Sequence, residues 1–270
     1  MLLESAVDIE LTPILAHFRA HGYARLGPVL SAAGQQQLAT RSVEIMTGER
    51  RYAEMFFQHD SGTGRYADLS YGKGWIGASL EYRKLERLEL DDVFRAWIEN
   101  ALFERIATTV LGNSISLYRA ALWNKAAHAG TELPWHQDDG SFWGIDRSPC
   151  LQIWTAIDPA PTESGCIELL PRSHLHGLAS PQGGTVQADR LQALNAIEQA
   201  IKVPVAAGEA LLIHNHVWHR SGRNSSEKPR RALGISFLDG ATQCLRKRRA
   251  PREFVPLFTN RTVCGAPLVI

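Results

Sequence analysis

Cysteine is scarce in this chain: Cys150, Cys166, Cys244 and Cys264 stand far apart, with no Cys-x-x-Cys pair among them. A zinc ribbon and a dithiol redox centre are therefore excluded, and the four read as small apolar residues. No apolar stretch reaches the roughly eighteen residues of a membrane span, and Met1 to Glu10 lacks a basic start followed by an apolar run. Neither a transmembrane helix nor a secretory leader is expected. Charge of one sign is not in excess either. With 29 Lys and Arg against 28 Asp and Glu the net charge is +1, unlike the strongly basic footprint of a dedicated nucleic-acid binder. Repeats and low-complexity tracts are missing, so no internal boundary divides the chain. These absences point to a cytoplasmic, soluble protein whose partner is a small molecule, not a nucleic acid or a membrane; nothing in the pattern sets an oligomeric state.

What is present is ordinary globular material, 44% hydrophobic and 21% charged over 270 residues, enough for one large core and one domain over 1–270. Helical patterns come first. Thr12 and Pro13 suit the start of a helix with Ile14, Leu15 and Phe18 on its apolar stripe and Gly22 as its stop. A short strand from Tyr23 to Leu26 follows, then a helix capped by Ser31 that runs to about Thr47 before Gly48. Residues 50–81 lack periodicity and carry five glycines among Phe56, Phe57, Tyr66, Tyr71 and Trp75; the segment is either a lid or wall over a site, or a surface loop anchored by its aromatics. A third helix is expected from about Asp91 to Val110.

Beyond Ser114 the pattern turns to short strands: Ser116 to Lys125, Leu133 to Asp138, Leu151 to Ile157, Cys166 to Leu170, Glu209 to His219 and Arg230 to Leu238. Helices followed by many strands give an α+β chain, mainly β in its core. Its helical portion covers about 1–112, and a double-sheet jelly roll covers about 113–270. The insertion from His176 to Ile201 interrupts the strands with a helical pattern from about Ala188 and is a second candidate wall. The basic run Arg246, Lys247, Arg248, Arg249 and Arg252 reads first as a solvated turn and second as an anionic-substrate handle.

Chemistry concentrates at Trp135-His136-Gln137-Asp138. On a strand His136 and Asp138, two apart, point the same way while Gln137 and Asp139 point the other. A third imidazole from a distant strand would complete two histidines and one carboxylate. That set covers one face of an octahedral metal and leaves other positions open, as in non-haem Fe(II) oxygenases. Three histidines lie in Glu209 to His219; in a regular strand His219 shares a face with Ile213, Asn215, Val217 and Ser221, opposite His214 and His216. Parity alone leaves His219 and a His214/His216 zinc pair both open.

The segment from His219 through Arg220-Ser221-Gly222-Arg223-Asn224 to Arg230-Arg231, taken with the His-x-Asp upstream, resembles the phytanoyl-CoA dioxygenase (PhyH-like) family of Fe(II)- and 2-oxoglutarate-dependent oxygenases. The helix, short strand, helix opening is similar to that family too. So is Pro171-Arg172-Ser173-His174, where Arg172 replaces the family's usual glycine and His174 reads as a turn residue. The resemblance implies a double-stranded β-helix with the metal in its mouth. Fe(II) would be held by His136, Asp138 and His219, with 2-oxoglutarate and O2 as cosubstrates. It also selects Arg230, eleven residues after His219, as the cation for the distal carboxylate of 2-oxoglutarate. Parity agrees: Arg230 alternates with the small Ala232, Gly234 and Ser236, whereas Arg231 alternates with Leu233, Ile235 and Phe237. Ser221, on the face of His219, could bind the same carboxylate.

Family similarity adds Asn124, Trp154 and Thr155 as cosubstrate contacts, although adjacent Trp154 and Thr155 cannot both face the site without a bulge. Phe142 and Trp143, just past the His-x-Asp, are the candidate substrate contacts. The implied reaction is oxidative decarboxylation of 2-oxoglutarate coupled to hydroxylation of an unactivated C–H bond, and the irregular aromatic segment 50–81 suggests a secondary metabolite of moderate size as the substrate. Desaturation, cyclisation, epoxidation and endoperoxidation use the same ligands, and Asp138 disfavours halogenation. An inactive jelly-roll binding protein and a zinc hydrolase are the readings from other classes.

Overall fold

A computed structural model describes residues 9–247 and 252–259; Arg248, Arg249 and Cys264 lie outside the described residues. In chain order the elements are α1 (Leu11–His21), β1 (Tyr23–Pro28), α2 (Ala32–Thr47), β2 (Phe56–His59), β3 (Tyr82–Glu86), α3 (Asp92–Ile98) and α4 (Ala101–Leu111). Next come β4 (Ile115–Lys125), β5 (Leu133–Gln137), β6 (Leu151–Ala156), β7 (Ile167–Leu170), β8 (Gly184–Thr185), α5 (Ala188–Ala193) and α6 (Ala196–Gln199). The last are β9 (Ile201–Val203), β10 (Glu209–Ile213), β11 (Trp218–Ser221), β12 (Arg230–Asp239) and β13 (Val255–Leu257).

Helix ends follow local chemistry. Ser31 Oγ accepts from Gly34 N at 3.1 Å, and α1 and α2 stop at Gly22 and Gly48, whose φ values of 81° and 85° suit a residue without Cβ. Thr12 is not the α1 cap: the helix starts at Leu11, and Glu10 at the cap position makes no capping bond. Pro13 then falls within the first turn, where its missing N–H leaves no acceptor unserved. The expected third helix is two helices. Asp91 caps α3 through Val93 N and Phe94 N, and Asn100 breaks the run by accepting from Phe103 N at 3.0 Å while donating to Trp97 O at 2.6 Å.

Two antiparallel sheets face each other. The larger runs β1-β10-β6-β12-β4-β3-β2 with β13 also on β4, and the smaller runs β8-β5-β11-β7-β9. Strand β1 contains the short strand expected from Tyr23 to Leu26, while β2 and β3 come from a portion with no expected strand, and together they extend both ends of the larger sheet. Its outer face packs on the helices through Leu38, Ile45, Phe94, Trp97, Phe103 and Ile106 with Leu85, Leu122, Ile153 and Leu233. Each such side chain contributes roughly 1.5–3 kcal/mol by burial. Between the sheets one half of the interior is apolar, around Leu169, Val203, Leu211, Val217 and Ala232. The other half is an open cavity.

Glu209 to His219 is not one strand. The chain leaves the larger sheet at Ile213, turns through His214–Val217 with Val217 N donating to His214 O at 2.9 Å, and enters the smaller sheet at Trp218. The parity drawn across that stretch therefore does not apply. No helix of the described residues is long and apolar enough to cross a membrane.

Candidate active site

The turn at His214–Val217 is what carries His219 to its place. It delivers β11 alongside β5, where His219 stands in register opposite His136. Asp138 follows β5 directly, and the buried Asn215 pins it: Asn215 Nδ2 donates to Asp138 O and Asp138 N to Asn215 O, both at 2.9 Å. One donor atom from each of His136, Asp138 and His219 lies within 4.8 Å of the others, the one such group of three among the described residues. His219 Nε2 is 3.6 Å from Asp138 Oδ2, and the two imidazole centroids are 4.1 Å apart.

Local hydrogen bonds prepare these groups as ligands. His136 Nδ1 lies 2.8 Å from Pro134 O and His219 Nδ1 3.0 Å from Val217 O, so both Nδ1 atoms carry the proton and both Nε2 lone pairs are left free. Burial, then His219, pushes His136 down to about 4, which keeps its ring neutral. Burial works against the Asp138 charge, but His136, His219, Arg119 and a bond from Gln152 outweigh it and hold the carboxyl below its usual range. Gln152 Nε2 donates to Asp138 Oδ2 at 2.9 Å and is itself fixed by Ser236 Oγ donating to Gln152 Oε1 at 2.9 Å. Arg119 Nη2 stands 3.7 Å from Asp138 Oδ1. Two imidazoles with their Nδ1 atoms turned to backbone carbonyls and an ionised carboxylate are a donor set suited to a divalent iron with positions left open.

The cavity beside these donors has a volume of about 1270 Å³. Arg230 reaches it from β12 and is 3% exposed. Its Nη2 donates to Gly165 O at 3.1 Å, its Nε has no partner, and no carboxylate pairs with it among the described residues. Burial lowers the guanidinium to about 10. A buried cation left so is a fit for a dicarboxylate ligand. Arg231, by contrast, is spent on structure: it grips Asp158 through bonds of 2.7 and 2.8 Å and donates to Ala39 O at 3.0 Å.

Ser221, Trp154 and Phe142 border the same cavity. Three other expected contacts are placed differently. Asn124 borders the cavity, but its register sets it opposite Arg231, and both its N–H groups go to Leu80 O and Tyr82 O at 2.9 Å, leaving none for a carboxylate. Thr155 is fully buried against α3, accepting from Trp97 Nε1, because the face it shares with Leu233 is the helix-covered one. Trp143 is core: it stacks on Tyr118 with centroids 4.0 Å apart and 2% exposure. Its neighbour Phe142 is 46% exposed at the cavity mouth.

The His214/His216 pair is no metal site, since His216 Nε2 is engaged with Asp139 Oδ2 at 2.7 Å and His214 Nδ1 accepts from His216 N. His174 is held to Arg19 O at 2.9 Å, a structural role, and Arg172 takes the glycine-like φ of 69° that its place in the turn demands. Both irregular segments form cavity wall, the first through Gln58, Tyr66 and Tyr71 and the second through Pro181, Gln182 and Thr185. Sequence reasoning missed Gln152, Arg119, Arg83 and Lys84. The first was within reach, since it lies two residues before Trp154 and so on its face.

Comparison with known proteins places the chain. The profile described as Phytanoyl-CoA dioxygenase (PhyH) matches residues 18–232. A rice protein (Oryza sativa subsp. japonica) named phytanoyl-CoA dioxygenase 1 is 22% identical over 273 residues, covering 91% of this chain and 96% of that one. A cattle (Bos taurus) phytanoyl-CoA dioxygenase domain-containing protein 1 is 27% identical over 160 residues; that match spans 56% of this chain and only 55%, about half, of the cattle protein. Among solved structures, the epimerase SnoN in complex with Fe3+, alpha-ketoglutarate and nogalamycin RO shares the fold with a TM-score of 0.71 at 19% identity, over 93% of this chain and 96% of SnoN. With a profile match over most of its length and the two-sheet fold to go with it, the chain belongs to the phytanoyl-CoA dioxygenase (PhyH) family of Fe(II)- and 2-oxoglutarate-dependent oxygenases.

Proposed function

We propose that the protein hydroxylates an unactivated C–H bond of a small molecule, with His136, Asp138 and His219 as the iron ligands and Arg230 as the clamp for the distal carboxylate of 2-oxoglutarate. One observation carries this reading: three convergent donors and a buried guanidinium that has no acidic partner among the described residues share one cavity. When bound, iron and 2-oxoglutarate supply, with O2, the oxidising power that no side chain has.

The protein's part is placement. The carbonyls of Pro134 and Val217 fix the imidazole tautomers, and Gln152 with Arg119 fixes the two oxygens of Asp138. Ser221 offers its hydroxyl to the carboxylate held by Arg230, and Trp154, whose ring lies 5.8 Å from the Arg230 guanidinium carbon, closes that side against water. The cavity exceeds what 2-oxoglutarate fills, so a secondary metabolite of moderate size has room, with Phe142 as its contact at the mouth. The working compartment in this reading is the cytoplasm.

Anaerobic addition of Fe(II) and 2-oxoglutarate should produce a visible charge-transfer band, and aerobic turnover should release succinate. His136→Ala, Asp138→Ala and His219→Ala should each abolish both with the circular-dichroism spectrum unchanged. Full succinate release by any one of them would refute the ligand assignment. No band and no succinate from the parent protein would favour a binding protein instead, and product analysis would separate hydroxylation from desaturation, cyclisation, epoxidation or endoperoxidation.

A further inference from the structure

Among the described residues six basic side chains border the cavity, Arg83, Lys84, Arg119, Lys125, Arg220 and Arg230, against a single carboxylate, Asp138. Three of the six are accounted for. Glu168 takes Arg220 through bonds of 2.9 and 2.7 Å, Lys125 Nζ donates to Thr131 O at 2.5 Å, and Arg230 is the proposed cosubstrate cation. Arg83, Lys84 and Arg119 remain. One oxygen serves two of them: Glu86 Oε1 accepts from Lys84 Nζ at 3.0 Å and from Arg119 Nη1 at 3.4 Å. Arg83 donates to the neutral Gln58 Oε1 at 2.7 Å and makes no ion pair among the described residues.

These are not surface charges. Arg83 is 7% exposed, and the side chains of Lys84 and Arg119 are 15% and 20% exposed. Burial pulls both Arg83 and Lys84 below their ordinary values in spite of Glu86. Taking an ion out of water is costly unless an opposite charge meets it. Here Glu86 is shared by Lys84 and Arg119, Arg119 also stands 3.7 Å from Asp138, which is committed to the donor group, and Arg83 meets no acid among the described residues.

Strand β3 is shaped to produce this. Gln58 pairs with Lys84 and His59 with Tyr82, so Arg83 is the extra residue of a β-bulge. The bulge lets two consecutive side chains, which a regular strand would send to opposite faces, both border the cavity. All three cations lie around the Trp123 ring, Arg83 and Lys84 at 5.4 Å and Arg119 at 5.5 Å from its centroid. Tyr71 at 86% exposure and Phe142 at 46% offer flat apolar surface toward the mouth.

We propose that Arg83, Lys84 and Arg119 form an anion subsite for the substrate, which is a flat, largely apolar small molecule bearing a carboxylate or phosphate group. This rests on the oxygenase reading, in which Arg230 and the metal take up the two carboxylates of 2-oxoglutarate and leave these cations to another anion.

The probes are 1-naphthoate, 1-naphthyl phosphate and the uncharged 1-naphthamide, titrated calorimetrically into the anaerobic protein loaded with Fe(II) and 2-oxoglutarate, and into the metal-free protein. At least one anion should bind tenfold or more tightly than the amide, and the better of the two identifies the group recognised. Arg83→Met and Lys84→Met should each cut that preference at least fivefold while leaving the 2-oxoglutarate titration of the Fe(II) band unchanged. Glu86→Gln, which frees two cations, should strengthen anion binding severalfold, and it decides alone if the methionine variants lose their fold. Equal binding of acid and amide, weaker anion binding in Glu86→Gln, or a loss confined to 2-oxoglutarate affinity overturns the subsite. An intact anion preference in a protein that shows no Fe(II)/2-oxoglutarate band overturns the oxygenase reading instead.

Discussion

Replacing Arg230 by methionine should move two measurements in opposite directions. Burial brings its guanidinium down from 12.5 to about 10, which corresponds to a desolvation cost on the order of 3 kcal/mol at about 1.4 kcal/mol per pKa unit. The bond to Gly165 O offsets about 1 kcal/mol of that. Methionine fills similar volume without charge, so the metal-free Arg230→Met protein should be more stable by about 1–2 kcal/mol, a rise of roughly 2–6 °C in melting temperature. Binding of 2-oxoglutarate should suffer instead. A buried carboxylate left without its cation loses on the order of 3–5 kcal/mol. At the lower end of that range the loss is roughly a hundredfold. Calorimetric melting of the metal-free protein and an anaerobic titration of the Fe(II) band read the two effects. A lower melting temperature together with a 2-oxoglutarate affinity within threefold of the parent would refute the reasoning. Arg231→Met is the mirror image: loss of the bidentate grip on Asp158 should cost about 3 kcal/mol of stability and leave cosubstrate affinity alone.

Gln152→Leu removes the bond to Asp138 Oδ2 and should weaken Fe(II) binding by about 10- to 100-fold, measured by competition with a chelator, with little change in melting temperature. Trp143→Ala should cost about 3–5 kcal/mol of stability in a denaturant melt, whereas Phe142→Ala should leave the melt unchanged and alter substrate KM. Burial, then His174 and His216, holds His214 down at about 3, well below its unfolded value. Above about pH 6.5 folded and unfolded chains are both neutral there and it has no effect; as pH falls from 6.5 toward 3 only the unfolded chain takes the proton, and stability declines. By pH 5 the loss is about 2 kcal/mol. His214→Gln should remove that share of the acid limb in melting curves taken between pH 7.5 and 5.

The candidate site was legible in the sequence wherever one strand carried the information. His136 and Asp138 share a face by alternation, and the small residues in step with Arg230 separated it from Arg231, which proved to be tied to Asp158. Alternation fails where the strand does. It was carried across the turn after Ile213, where Asn215 anchors Asp138 and the chain changes sheets. It could not foresee the bulge at Arg83, which depends on how β2 pairs with β3. Alternation also says that Trp154 and Thr155 differ without saying which faces the cavity. That is fixed by the neighbouring strand β12, whose Gly234 and Leu233 lie opposite them. For Trp143 no local signal distinguishes a wall residue from a stacked core residue, because the distinction lies in Tyr118, twenty-five positions away.

The proposed donors for the metal, His136, Asp138 and His219, stand on or just past strands of the smaller sheet, whereas Arg230, Gln152 and Trp154 stand on the larger one. A dicarboxylate held at both ends would thus act as a tie across the sandwich. Its grip depends on a spacing set by remote contacts such as Leu211 and Val203 in the apolar half. Trimming those contacts would loosen the tie well before the protein unfolds, so wear in the oily end of the molecule would register first as a weaker hold on cosubstrate at the wet end.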